Sequence, residues 1–340
     1  MQDYVQRVFQ RAVLKVDVSA PKAVFDENRN NICKSEGTAF VIGEQLAVTA
    51  THVYALDPAC GPPVIALESK FFNVEVFADV VAVYDDVTVL KFSGSLPEPI
   101  CALGPSNSDV TEVEGGVRFG IPGGMDDPTP MPVRIGSNQG QFKPFVQLTP
   151  TPAERGESGG PVVYMFNVVG ILRAKHAKYP AYSVMTPIGQ LRTLLAEQTI
   201  PLNARLCNPV ELSFWSPDAT ATPEESEGAI IRVPSALVLN MDDVKREAEE
   251  RALEVRSGPS PDDSTFRTIE ITLDLSKNGW GTRVDTFAAE IAEFAKTTAW
   301  HQYIADLRAD SAPKDAAPPS SCHTSVKPGR QPDYVAPGAC

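Results

Sequence analysis

The six residues Gly156-Glu157-Ser158-Gly159-Gly160-Pro161 constrain this chain more than any other stretch. They lie between a turn-rich approach at 149–155 and an apolar run at 162–172. Glycines on both sides let the backbone turn tightly, so the serine hydroxyl faces outward while neighbouring backbone N–H groups converge on one small space. That space suits a developing oxyanion, which makes the segment a site for acyl transfer on Ser158.

A serine nucleophile needs a base to take its proton and a carboxylate to orient that base. Upstream, His52 stands in Thr49-Ala50-Thr51-His52-Val53, and Asp86 opens Asp86-Val87-Thr88-Val89-Leu90. Together with Gly156-Glu157-Ser158-Gly159-Gly160-Pro161, in the order His, Asp, Ser, these runs resemble the trypsin/chymotrypsin-like serine peptidases. The resemblance implies that Ser158 attacks, His52 shuttles the proton, Asp86 holds the imidazole tautomer, and the N–H groups of Gly156 and Ser158 form the oxyanion hole. Asp85 is then a turn residue facing water. Neither a cofactor nor a metal is implied; Cys322-His323 and Cys340 lack tetrahedral ligand spacing.

Two other readings compete. Gly156-x-Ser158-x-Gly160 also satisfies the nucleophile elbow of α/β-hydrolase esterases, in which acid and histidine follow the serine. Downstream lie only His176, His301 and His323, and the region before Ser158 reads as short strands without alternating helices. A catalytically silent trypsin-fold binding scaffold is the second; the intact motifs disfavour it.

The resemblance continues along the chain. Gly37-Thr38-Ala39-Phe40-Val41 is similar to the strand preceding the histidine in that family, and Val117-Arg118-Phe119-Gly120-Ile121-Pro122 to a strand of its second half. The expected fold is an all-β, trypsin-like double six-stranded β-barrel over 1–205, with the cleft at the junction of the halves. His52 should end a strand, a hairpin should turn at Asn167, and a helix over 187–197 should close the second barrel with Ile188, Leu191, Leu194 and Leu195. Turn and acidic residues make 206–228 a linker. An appended small α+β unit follows at 229–310: a strand over 230–239, a helix over 241–255, a half-buried strand through Ile269, Ile271, Leu273 and Leu275, and a helix over 284–307 striped by Val284, Phe287, Ile291, Phe294, Ile304 and Leu307. This unit is expected to gate the cleft or recruit a regulatory protein partner. The Pro-rich 311–340 reads as a disordered tail.

A net charge of −13 argues against nucleic-acid or anionic-membrane partners; the resemblance implies a protein or peptide as substrate. The first thirteen residues lack an apolar core of secretory type, and no apolar run is long enough to cross a bilayer, so a cytoplasmic location is expected. Six scattered cysteines without CxxC spacing read first as free thiols; Cys33 and Cys60 bracket His52 at offsets unlike those of the family's disulfide, and a bridge between them stays open. For specificity, the resemblance brings Pro152 to the position where tryptic members carry an acid, with Ala153 beside it and Arg173, Ala174 and Lys175 on the far wall. Those bases could draw an acidic P1 residue; read instead as a solvated edge, they leave a small or apolar P1, which is the favoured reading. Glu157 departs from the family's Asp or Asn, and no basic activation site precedes the first barrel, so activity without propeptide cleavage is expected, with Glu157 seeking another donor.

Overall fold

Alternation of apolar and polar residues closes the chain into two barrels. In this computed structural model the described residues are 9–311, apart from 10, 28–30, 70, 95–100, 139–142, 151, 174–182, 201, 203–206, 208, 216–227, 262 and 274–283. The first barrel runs β1 (Val13–Ser19), β2 (Lys34–Gly43), β3 (Leu46–Ala50), β4 (Val64–Ser69), β5 (Val74–Tyr84) and β6 (Val87–Phe92), closed in the order β1-β2-β3-β6-β5-β4. In β1 the period of two sends Leu14, Val16 and Val18 inward and leaves Lys15 and Asp17 half-buried outside. A slip of one residue would reverse that partition, so burial sets the register.

The second barrel comprises β7 (Val113–Gly120), β8 (Thr129–Ile135), β9 (Val146–Thr149), β10 (Pro161–Tyr164), β11 (Asn167–Arg173) and β12 (Ser183–Pro187), closed as β10-β11-β12-β9-β8-β7. Every strand pairing in both barrels is antiparallel. The double six-stranded barrel is therefore the fold, and the parallel sheet that a nucleophile elbow needs is not what surrounds Ser158.

Local departures from expectation have physical causes. His52 sits in a single helical turn, α1 (Thr51–Tyr54), rather than at a strand end. The Thr51 N–H is drawn to the Asp86 carbonyl at 3.1 Å, and Ala55 N closes the turn on Thr51 O. The β10–β11 hairpin turns at Met165 and Phe166, both at positive φ, with Asn167 already in β11. Backbone strain at Phe166 is offset by burial of its ring beside Phe9 and edge-on to Trp300. Helix α2 (Ile188–Glu197) buries Ile188, Leu191, Leu194 and Leu195, as the periodicity requires.

Beyond the barrels, a four-stranded sheet has the order β13-β14-β16-β15, from β13 (Glu211–Trp215), β14 (Gly228–Pro234), β15 (Leu253–Pro259) and β16 (Phe266–Leu273). Strand β13 lies inside the stretch read as a linker; its partner β14, which pairs Leu212 with Ile231, makes it a strand where composition alone suggested none. Helix α3 (Met241–Glu250) ends earlier than 255, because Ala252 adopts φ 56° and turns Leu253 and Val255 into β15. Helix α4 (Val284–Ser311) buries Val284, Phe287, Ile291, Ile304 and Leu307, whereas Phe294 is 53% exposed. Ala295, Ala299, Trp300 and Tyr303 fill that middle turn instead. Residues 312–340 lie outside the described residues.

Trp300 joins this unit to the second barrel. Its indole is buried against Phe166 and Tyr164, and its Nε1–H donates to the Gly115 carbonyl of β7 at 3.1 Å. One apolar cluster consequently runs from the first barrel through to α4.

Four of the six cysteines are not free thiols. Cys33 bonds Cys60 and Cys101 bonds Cys207, with Cα–Cα distances of 5.4 Å and 4.9 Å. These pairs are brought together by the barrel and its connections, which spacing along the chain does not reveal. No helix among the described residues is long and apolar enough to cross a membrane.

Candidate active site

His52 and Asp86 are presented by neighbouring strand ends of the first barrel. Ala50 of β3 pairs with Val87 of β6, so the residues just beyond that pair, on α1 and in the β5–β6 turn, meet. Asp85 takes the turn's left-handed position at φ 51° and is exposed, which leaves Asp86 to point inward. The Asp86 Oδ1 atom lies 2.9 Å from His52 Nδ1, and the His52 backbone N–H approaches the same oxygen at 3.4 Å. The carboxylate side chain is 11% exposed and the imidazole 37%. One ring edge is thus held while the other remains reachable.

Asp86 has a second partner that the sequence did not suggest. Arg173, at the end of β11, places Nη1 3.1 Å from Asp86 Oδ2 and lays its guanidinium over the Phe145 ring at 4.9 Å. The arginine expected on the pocket's far wall is therefore committed to a carboxylate of the other barrel. Ala174 and Lys175, its companions in that expectation, lie outside the described residues, as does His176.

Ser158 sits on the second barrel at the seam and is 8% exposed. Gly156 and Gly159 hold φ of 95° and 89°, a region L-residues avoid, and a Cβ at either would run into backbone. At Gly159 that backbone is the Thr38 carbonyl of the first barrel, so the glycines allow close approach of the halves as well as the turn. Gly37 serves the same seam: a Cβ there would collide with Val53 and come within 3.1 Å of Ser158 O.

Beneath the turn lies a buried ion pair. Arg118 Nη2 is 3.5 Å from Glu157 Oε2, each side chain being 2% exposed. The guanidinium also donates to Pro152 O at 3.2 Å and to Ser183 Oγ at 3.3 Å. The same Glu157 oxygen accepts from Glu154 N, and Ser183 Oγ from Ala153 N. Burial raises the Glu157 pKa above the usual carboxylate range against the attraction of Arg118, and burial lowers that of Arg118. Pro152 is exposed, while Ala153 is buried among these groups.

Sequence reasoning missed Arg118, Thr38 and Ser183. Arg118 did leave a signal: one arginine within the otherwise apolar stretch Val117-Arg118-Phe119-Gly120-Ile121, in a chain whose motif carries an acid in need of a partner. Among the described residues, no group of His, Cys, Asp or Glu side chains is arranged to hold a metal ion.

With this geometry in view, residues 37–171 match the trypsin-like peptidase domain family. The matched stretch holds His52, Asp86 and Ser158. No curated protein matches it. Among solved structures it is similar to the active form of the Rv3671c protease from M. tuberculosis, at 22% identity and TM-score 0.44 over 60% of this chain and 88% of that one. The inactive form of that protease gives 22% identity, TM-score 0.42, and 59% and 93% coverage. A serine endoprotease from Yersinia pestis gives 16%, 0.43, and 58% and 66%.

Proposed function

We propose that the chain hydrolyses peptide bonds through Ser158, His52 and Asp86. The observation that carries this reading is the Asp86 Oδ1–His52 Nδ1 contact of 2.9 Å on the barrel facing Ser158. Asp86 holds the tautomer with the proton on Nδ1, so Nε2 takes the Ser158 hydroxyl proton as Oγ attacks the carbonyl carbon. The Gly156 and Ser158 N–H groups stabilise the oxyanion, each donor contributing roughly 3–4 kcal/mol to the transition state. His52 then returns the proton to the leaving amine, and water, activated by the same imidazole, releases the acyl group from Ser158.

Activity needs no propeptide cleavage in this reading, because Arg118 supplies from within the fold the cation that Glu157 requires. The P1 residue is small or apolar, because Arg173, the cation that could draw an acidic one, is engaged by Asp86. The substrate is a protein or peptide, and the C-terminal unit gates the cleft or recruits a partner. Its tie to Gly115, on the strand that also carries Arg118, favours gating. Two disulfides favour an oxidising compartment over the cytoplasm.

The test is labelling of the full chain with a fluorophosphonate, beside Ser158→Ala and His52→Ala, and hydrolysis of short peptide amides. The expected outcome is labelling abolished in Ser158→Ala and peptide hydrolysis reduced on the order of 10⁶-fold in kcat in His52→Ala. A folded wild-type protein that neither labels nor cleaves would make it a silent scaffold; cleavage of esters but never amides would refute the peptidase assignment.

A further inference from the structure

Thr38 lies on β2 of the first barrel with no exposed surface, and its polar groups reach into the second barrel. Its hydroxyl donates to Gly156 O at 2.8 Å and accepts from Ile121 N at 2.9 Å. Its backbone N–H donates to Ser158 O at 2.8 Å, and its carbonyl accepts from Thr49 Oγ1 at 2.7 Å. Ile121 N is a donor, so the single hydroxyl proton is directed to Gly156 O. A first-barrel side chain thereby holds the turn at Gly156, while its own backbone holds the same turn at Ser158.

These bonds bear on where the N–H groups of the turn point. In a planar trans peptide the C=O and N–H are antiparallel, so fixing the carbonyl of one residue fixes the N–H of the next. Arg155 O accepts from Gly123 N at 2.7 Å, which directs the Gly156 N–H the opposite way. Gly123 lies two residues beyond Ile121, whose own N–H is tied to Thr38. The hydroxyl therefore touches both sides of the arrangement: the Ile121–Gly123 segment that orients the Gly156 N–H, and the Gly156 carbonyl itself.

We propose that Thr38 is a positioning residue for the oxyanion hole, coupling the hole's geometry to docking of the two barrels. The inference rests on the acyl-transfer reading of Ser158 and adds to it a residue that acts through the backbone of the Ser158 turn. Valine at this position keeps the shape and the backbone bond to Ser158 O, but leaves Gly156 O and Ile121 N without their shared partner.

The experiment compares Thr38→Val, Thr38→Ser and wild type in steady-state cleavage of a peptide amide, with binding of a peptide boronate and of an uncleavable competitive peptide. Thr38→Val is expected to lower kcat about 10- to 100-fold with KM nearly unchanged. Boronate binding weakens in step and peptide binding does not, because only the former places an anionic oxygen in the hole. Thr38→Ser restores kcat to near wild type. Should Thr38→Val fail to fold, Thr38→Cys, which keeps the size and a weak donor, is expected to show an intermediate kcat. A folded Thr38→Val or Thr38→Cys with wild-type kcat overturns the inference while leaving the peptidase reading intact. Failure of wild type itself to cleave overturns that reading instead. Thr49→Val, which loses a bond to Thr38 O alone, is expected to lose stability with little change in kcat; an equal kcat loss there assigns the effect to general loosening and also overturns the proposal.

Discussion

Glu157 and Arg118 face each other with water almost excluded, and burial moves both pKa values toward the neutral forms. For Glu157 the folded value lies above the usual carboxylate value of 4.5. Between that value and the raised one, the folded protein holds a proton that the unfolded chain has released. Its contribution to stability is therefore present at low pH and lost as pH rises through this window, at about 1.4 kcal/mol for each pH unit between the two values. Urea unfolding of wild type and Glu157→Gln across a pH range of about 4 to 8 is expected to show the glutamine variant gaining relative to wild type as pH increases. A pH-independent difference would show that the pair, not burial, decides the protonation of Glu157. The presence of an acid in the motif was legible from the sequence; its partner was not, because Arg118 and Glu157 are joined only when β7 and the Ser158 turn pack.

At the scale of elements, α4 is the clearest case of packing deciding what periodicity leaves open. The 3.6-residue period marked Phe294 as part of the apolar stripe, yet Phe294 is exposed and Trp300, further along the helix, is buried on β7 and β10. Trp300→Ala is expected to cost roughly 3–5 kcal/mol, from lost apolar contact and an unpaired Gly115 carbonyl. In the same denaturation series Tyr303→Phe serves as the contrast. The Tyr303 hydroxyl is buried without a partner among the described residues, and burial raises its pKa. Its removal is expected to be neutral or stabilising by about 1 kcal/mol. The boundary of α3 teaches the same lesson: Val255 fits a helical face by its spacing, but pairing with Ile271 in the sheet draws it into β15.

At the scale of the molecule, the two disulfides close loops of unequal length. Cys33–Cys60 spans 27 residues and Cys101–Cys207 spans 106. Loop-closure entropy assigns them roughly 3.5 and 4.8 kcal/mol. Calorimetry of Cys33→Ser/Cys60→Ser and Cys101→Ser/Cys207→Ser double variants is expected to show a lower Tm in both, with the larger fall in the second. The second bridge ties the inter-barrel connection to the entry of the C-terminal unit, so its loss is also expected to loosen that unit. Equal stability in reduced and oxidised wild type would count against both contributions. By itself the sequence determined the motifs around His52, Asp86 and Ser158, because those signals are short-range: a turn before a strand, glycines where φ must be positive; the two-barrel class followed from the resemblance those motifs carry. Only the tertiary structure decided the Arg118–Glu157 pair, the Arg173 grip on Asp86, the Thr38 contacts and the seat of Trp300. These join residues as far as 118 and 185 positions apart, and no local pattern encodes a contact made when two closed barrels and a helix come to rest on one another.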